Sequence, residues 1–217
     1  DKVVRKRTKL NLYISLNILC VFIAYFVSLR AVLFFSVYIF LIWFYSHKLK
    51  RSLVVGNIVS SVLSVIPFLI ILIYYKNFES IIFMYAMFLF LIVYVRELIK
   101  DLENIKGDFT LNYKTLPVVY GEKTSKYIIT LCILLNVVVI YFLLTYFDTG
   151  NMYYYYYFSI FLLTIFVYVL WKFNNKKYYN FLHNLLKFII VLGVLSIVLI
   201  DLDLFLDKFY LLLNYFM

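Results

Sequence analysis

The sequence predicts an all-α protein, a polytopic transmembrane helical bundle of about seven spans. Three observations carry this. The chain of 217 residues is 66% hydrophobic with a mean hydropathy of +0.96, whereas soluble domains are about half apolar. The excess comes in blocks of about 20 residues, the length a helix needs to cross ~30 Å of hydrocarbon. The cations sit between the blocks and favour one set of connections. A β-barrel would show ~10-residue alternating segments instead, and these runs do not alternate.

Taken in order, the apolar segments are residues 10–29, 31–46, 53–75, 81–95, 127–147, 152–171 and 182–200. The first two are separated by Arg30, so they are expected to form a tight hairpin. The third contains Pro67, which predicts a kink. The fourth is short and is expected to continue as helix into the charged stretch after it. Residues 201–217 alternate acidic and apolar residues and are expected in the interface. Cys20 and Cys132 fall inside apolar runs and read as buried thiols. The run Tyr153 to Tyr157 reads as an interfacial aromatic belt.

Charge tests this topology. With seven spans, one side receives Lys2, Arg5, Lys6, Arg7 and Lys9, then Lys48, Lys50 and Arg51. It also receives Arg96, Lys100, Lys106, Lys114, Lys123 and Lys126, then Lys172, Lys176, Lys177 and Lys187. The other side receives Arg30, Lys76 and Lys208, a split of 18 to 3. The positive-inside rule then places the N-terminus and the 47–51 and 96–126 connections in the cytoplasm. In a soluble protein a net charge of +10 would point to nucleic acid; here it orients the chain in a bilayer, and no nucleic-acid partner is expected. Span interiors hold almost no ionisable residues, which disfavours a pump or ion-coupled transporter.

The stretch from Arg96 to Pro117, RELIKDLENIKGDFTLNYKTLP, is the longest charged segment. Glu97, Asp101, Asn104 and Asp108 are separated by 4, 3 and 4, one face of a continuous helix. Oxygen ligands in that arrangement suit Mg²⁺, which takes one or two carboxylates plus phosphate oxygens and water. Arg96, Lys100 and Lys106 can meet the remaining phosphate charge. Gly107 is expected to end the helix or let the backbone turn. The same spacing equally suits a solvated helix end with ordinary ion pairs. Upstream, the basic cluster in YSHKLKRSLVVGN serves as a topology signal, but Asn57 follows Gly56 inside a span and needs hydrogen-bond partners.

These residues carry a family resemblance. RELIKDLENIKGDFTLNYKTLPVVYG resembles the second aspartate-rich motif of the UbiA superfamily of intramembrane prenyltransferases, a R-E-I-x-K-D-I-E-D-x-x-G-D pattern leading into G-x-K-T-L-P. YSHKLKRSLVVGN resembles the family's Y-S-x-x-L-K-R-x-x-x-x-G-N segment. Asp1-Lys2 followed by basic residues resembles the tail of the first motif, N-D-x-x-D-x-x-x-D-K.

The resemblance implies a nine-helix fold, of which residues 1–217 form one domain lacking the first two helices and most of the first motif. It implies a prenyl diphosphate bound through Mg²⁺, ionised to an allylic cation that a lipophilic acceptor attacks. By position, Asp1, Asp101, Asn104 and Asp108 correspond to metal-site positions. Asp108 and Lys114 correspond to catalytic ones, and Lys50, Arg51, Asn57, Arg96 and Lys100 to diphosphate-binding ones. Asn104 stands where the family commonly has Asp, and Asn112 replaces the glycine of G-x-K-T. The K-D-x-E-x-x-x-G-D…K-T-L-P form most resembles members that prenylate the hydroxyl of a glycerol-phosphate lipid precursor. An aromatic acceptor of the quinone-pathway kind is the runner-up, and a membrane transporter or scaffold is the rival of another class. No D-G-x-x-A-R run marks a CDP-alcohol transferase. The expected location is a bacterial or archaeal plasma membrane with the active face in the cytoplasm, and the chain alone is expected to be inactive.

Overall fold

The computed structural model describes residues 6–74 and 79–197. Asp1 and the segment 201–217 lie outside them. Seven helices in these residues are long and apolar enough to cross a membrane, so the protein is a multi-pass helical membrane protein. The chain divides into two compact units, Asp1–Lys50 and Arg51–Met217.

In the first unit, α1 spans Lys6–Val27 and α2 spans Leu29–His47. The two helices contact one another. The turn falls at Ser28, not at Arg30, which lies inside α2. Serine wins because it caps: its backbone is extended, and its Oγ accepts the Ala31 N–H at 3.1 Å. An arginine side chain offers no acceptor for that role. No residue of α2 is buried, and Cys20 on α1 is half-buried where a buried thiol is expected.

In the second unit, α3 (Leu53–Tyr74), α4 (Ser80–Glu103), α6 (Leu116–Tyr146), α7 (Tyr153–Lys172) and α8 (Lys176–Ser196) pack around α4. Helix α3 runs on through Pro67. Helix α4 meets α3, α6 and α8. It holds Ile92, Val95 and Ile99 fully out of contact with the surroundings. Opposing stripes supply Ile129, Ile133, Ile140 and Leu143 from α6. Tyr156, Leu163, Phe166 and Leu170 come from α7, and Leu182, Leu186 and Ile189 from α8. Within each helix these are three, four or seven residues apart, as a helix face requires. In a bilayer lipid tails are as apolar as leucine, so close packing and interhelical hydrogen bonds hold such a core. One such bond runs from Asn136 Nδ2 on α6 to the Phe88 carbonyl on α4, 3.0 Å.

The tyrosine run divides where a uniform belt is expected. Tyr154 and Tyr157 are exposed, but Tyr155 and Tyr156 are buried on the inward face of α7. A helix turns adjacent residues ~100° apart, so five consecutive tyrosines cannot share one face. Tyr155 Oη donates to the Ile189 carbonyl at 3.0 Å. It lies so close to α8 that a Cβ on Gly193 would meet it at 2.7 Å.

Candidate active site

The fourth span does extend into the charged stretch, as expected, but α4 ends at Glu103. Asn104 leaves helical geometry (φ −112°, ψ 19°), and a short helix α5 restarts at Ile105–Thr110. The single face drawn through Glu97, Asp101, Asn104 and Asp108 is therefore broken at its third member. Asn104 ends α4, not Gly107, which lies inside α5. Asparagine competes for backbone hydrogen bonds and favours such ends.

The chain after α5 turns at Asn112, whose φ is +55°. This left-handed conformation suits glycine and is tolerated by asparagine among few others. The replacement of glycine by asparagine in the motif thus keeps the turn. Downstream, Gly121 has φ +84° and ψ +166° and interrupts α6. The short helical piece before it begins with Pro117 in the first turn, where a missing N–H costs nothing.

Around this framework the expected residues fall into three places. The first is a contact between α3 and α4. Asn57 is buried near the start of α3, and its Nδ2 donates to Asp101 Oδ2 at 2.6 Å. Asp101 also lies within electrostatic reach of Asp108, Glu97 and Lys100. Glu97 is buried and paired with Lys100 at 3.3 Å. Asp108 is half-buried on α5; its N–H bonds the Asn104 carbonyl, 2.9 Å, starting that helix. The structure so brings together Asn57, Lys100, Asp101 and Asp108.

The second place is the outer surface. Asn104 and Lys114 are exposed, and Lys50 is exposed in the 3-10 turn Leu49–Arg51. Arg51 begins the second unit. Beside Lys114, the Thr115 hydroxyl is buried without a hydrogen-bond partner. The third place is the α4–α8 interface, where Arg96 lies. It is five residues before Asp101, roughly 140° away around the helix, and its Nε is buried without a hydrogen-bond partner. His183 on α8 is within its electrostatic reach.

Among the described residues, no three of His, Cys, Asp and Glu gather closely enough to hold a metal ion alone. A thiolate or imidazole cage is thus not formed by them. Two carboxylates held near each other with amide oxygens available fit Mg²⁺, which completes its shell with phosphate oxygens and water.

A buried polar network that sequence reasoning did not anticipate lies at the same end of the second unit. Lys126 on α6 is buried; its Nζ donates to the Leu170 carbonyl (2.7 Å), the Phe173 carbonyl (3.3 Å) and Asn174 Oδ1. It is 3.7 Å from Glu122, which also accepts from the Tyr179 hydroxyl. The ammonium satisfies carbonyls that the end of α7 leaves open, a favourable place for a cation. The signal was available as Glu122 and Lys126 four residues apart, but their partners are more than 40 residues on.

Parts of the chain resemble known proteins. Digeranylgeranylglyceryl phosphate synthase from Pyrococcus furiosus is 34% identical over 116 residues, 54% of this chain and 42% of that protein. The enzyme of that name from Methanosphaera stadtmanae is 32% identical over 94 residues, 43% of this chain and 33% of the relative. That from Thermococcus sibiricus is 33% identical over 115 residues, 53% and 41%. The matched stretches span a third to two fifths of these relatives' length. No solved structure matches. The model of the UbiA prenyltransferase family matches residues 1–182, through every helix that carries an expected site residue, and the chain belongs to that family.

Proposed function

We propose that the protein transfers a prenyl group from a prenyl diphosphate to the hydroxyl of a glycerol-phosphate-type lipid acceptor. Residues 1–217 are read as one catalytic domain. The site lies at the cytoplasmic face of a bacterial or archaeal plasma membrane, since the basic connections share the side of Asp101 and Asp108.

The observation that carries the reading is the Asn57–Asp101 hydrogen bond. It fixes a carboxylate, with Asp108 in electrostatic reach, near the C-terminal end of a helix whose residues 81–95 carry no charge. The relatives' names supply the acceptor class.

In the reaction the C–O bond to the diphosphate breaks, and its electron pair leaves with the diphosphate. The acceptor oxygen forms the new bond to the allylic carbon and gives up its proton to the departed diphosphate. Asp101 and Asp108, with the amide oxygen of Asn104, would hold Mg²⁺, which supplies neutralisation of the leaving diphosphate. Asn57 orients Asp101. Lys100 and Lys114 meet negative charge that develops on the departing group. The helical packing keeps water from the cation.

The test is full-length protein with radiolabelled prenyl diphosphate, Mg²⁺ and a panel of acceptors, read by product mass. A prenylated glycerol-phosphate product supports the reading. Product with aromatic acceptors alone replaces it with the quinone-type reaction. Absence of any product makes the protein a non-enzymatic membrane component.

A further inference from the structure

The groove between α4 and α8 combines three features that the reading above leaves unused. The first is an apolar cavity of about 260 Å³ lined by Ile82, Tyr85 and Leu89 of α4, Ile190 and Val194 of α8, and Tyr155 of α7 among others. The second is a pair of buried nitrogens without hydrogen-bond partners, Arg96 Nε and His183 Nδ1. The third is register. His183, Lys187, Ile190 and Val194 follow at spacings of 4, 3 and 4, one face of α8. Leu89 and Arg96 are seven residues apart on α4, again one face.

The two helices pack antiparallel: Leu89 meets the α8 region of Ile190 at the cavity, and Arg96 is near His183. Along the helix axes Arg96 and His183 therefore lie ~10 Å from Leu89 and Ile190 at the cavity, with Lys187 between them. The acids nearby are Glu97, already paired with Lys100, and Glu103. From Arg96 to Ile82 the helix rises roughly 21 Å. An extended chain of about 16 carbons reaches roughly 18 Å at the ~1.2 Å per bond of an extended backbone.

We propose that this groove seats the acceptor lipid, with its phosphate on Arg96, His183 and Lys187 and its isoprenoid chain in the cavity. The proposal rests on the glycerol-phosphate reading. It moves Arg96 from the donor's diphosphate to the acceptor's phosphate, in keeping with its direction away from Asp101. Two unpartnered nitrogens beside a lysine suit a phosphate's several oxygens, and an apolar cavity with aromatic walls suits an isoprenoid chain.

Steady-state kinetics of the full-length enzyme test it. His183→Leu and Lys187→Met should each raise the acceptor KM by roughly tenfold, one lost charge-assisted contact, and leave the prenyl diphosphate KM within about twofold. His183→Gln, which keeps a donor, should recover most of the loss. A rise in the prenyl diphosphate KM instead, or no change in either, overturns the proposal.

A second measurement separates this outcome from failure of the parent reading. A prenylglycerol phosphate with a photoreactive chain should label the peptides carrying Tyr85–Leu89 and Ile190–Val194. Excess unlabelled prenylglycerol phosphate should suppress the labelling; prenyl diphosphate and ordinary phospholipid should not. Labelling elsewhere, or suppression by either of those two, overturns the groove assignment. Transfer to aromatic acceptors alone overturns the parent reading whatever the labelling pattern.

Discussion

Asn57 on α3 donates its side-chain amide to Asp101 on α4 across 44 residues of sequence. A hydrogen bond is worth about 0.5–1.5 kcal/mol net, and this one ties α3 to the helix that carries Asp101 of the proposed metal site. Asn57→Ala should lower kcat/KM for the prenyl diphosphate by roughly 10- to 100-fold. The Mg²⁺ concentration at half activity should rise with it. Unchanged Mg²⁺ dependence would make the contact purely structural.

Asp108 is the sharper test of the site. Asp108→Ala in the full-length protein should abolish Mg²⁺-dependent turnover, while detergent-solubilised protein keeps its thermal midpoint within a few degrees, because the residue is half-buried on the short α5. Chelation of divalent ions should produce the same loss in the wild type. Turnover surviving either treatment removes Asp108 from the metal site.

Lys126 should matter for stability. Its ammonium is buried against two carbonyls, an amide oxygen and Glu122. Removing the ammonium strands buried acceptors, at a cost of about 1–3 kcal/mol. Lys126→Met should lower the denaturation midpoint far more than Lys123→Met, which alters an exposed neighbour. Equal effects would show that the network carries no weight.

At Asn112 the positive φ separates two substitutions that look alike. Asn112→Gly should leave stability within a few tenths of a kcal/mol, and Asn112→Ala should cost about 1–2 kcal/mol for the left-handed backbone. The comparison is read from thermal denaturation of both variants in one detergent. Equal cost for both would mean that the asparagine side chain, not its backbone, holds the turn.

Tyr155 and Gly193 should behave as a coupled pair. Gly193→Ala places a Cβ against the Tyr155 hydroxyl and should cost about 1–3 kcal/mol through overpacking. Tyr155→Phe alone should cost about 1 kcal/mol through its lost hydrogen bond. Together they should cost less than the sum, since removing the hydroxyl relieves the closest contact. A strictly additive result would mean that the helices shift apart instead.

The spans were legible because hydrocarbon thickness imposes a length and lipid imposes a composition, so helix ends agree to within a few residues for the first three spans. The charged motif was legible as a string, and its pairing of Asn57 with Asp101 had a signal in a buried amide that needed a partner. The break at Asn104 was not legible. A 4–3–4 spacing assumes a continuous helix, and that continuity is decided by whether one asparagine keeps helical angles. Nor were the partners of Lys126, because an i,i+4 pair says nothing about carbonyls arriving from another helix. The tyrosine run misled for the opposite reason: composition favoured a belt, while the helical period sent Tyr155 and Tyr156 inward.

The Lys126 network also sets an order of events during synthesis. Lys126 and Asn174 are 48 residues apart, which at about 5–20 residues per second is roughly 2–10 s of elongation. For the first 43 residues of that interval neither carbonyl exists, and of the four partners only Glu122, one helical turn upstream, has been made. Until the end of α7 emerges, Glu122 is therefore the one partner of the four within the chain's reach of Lys126.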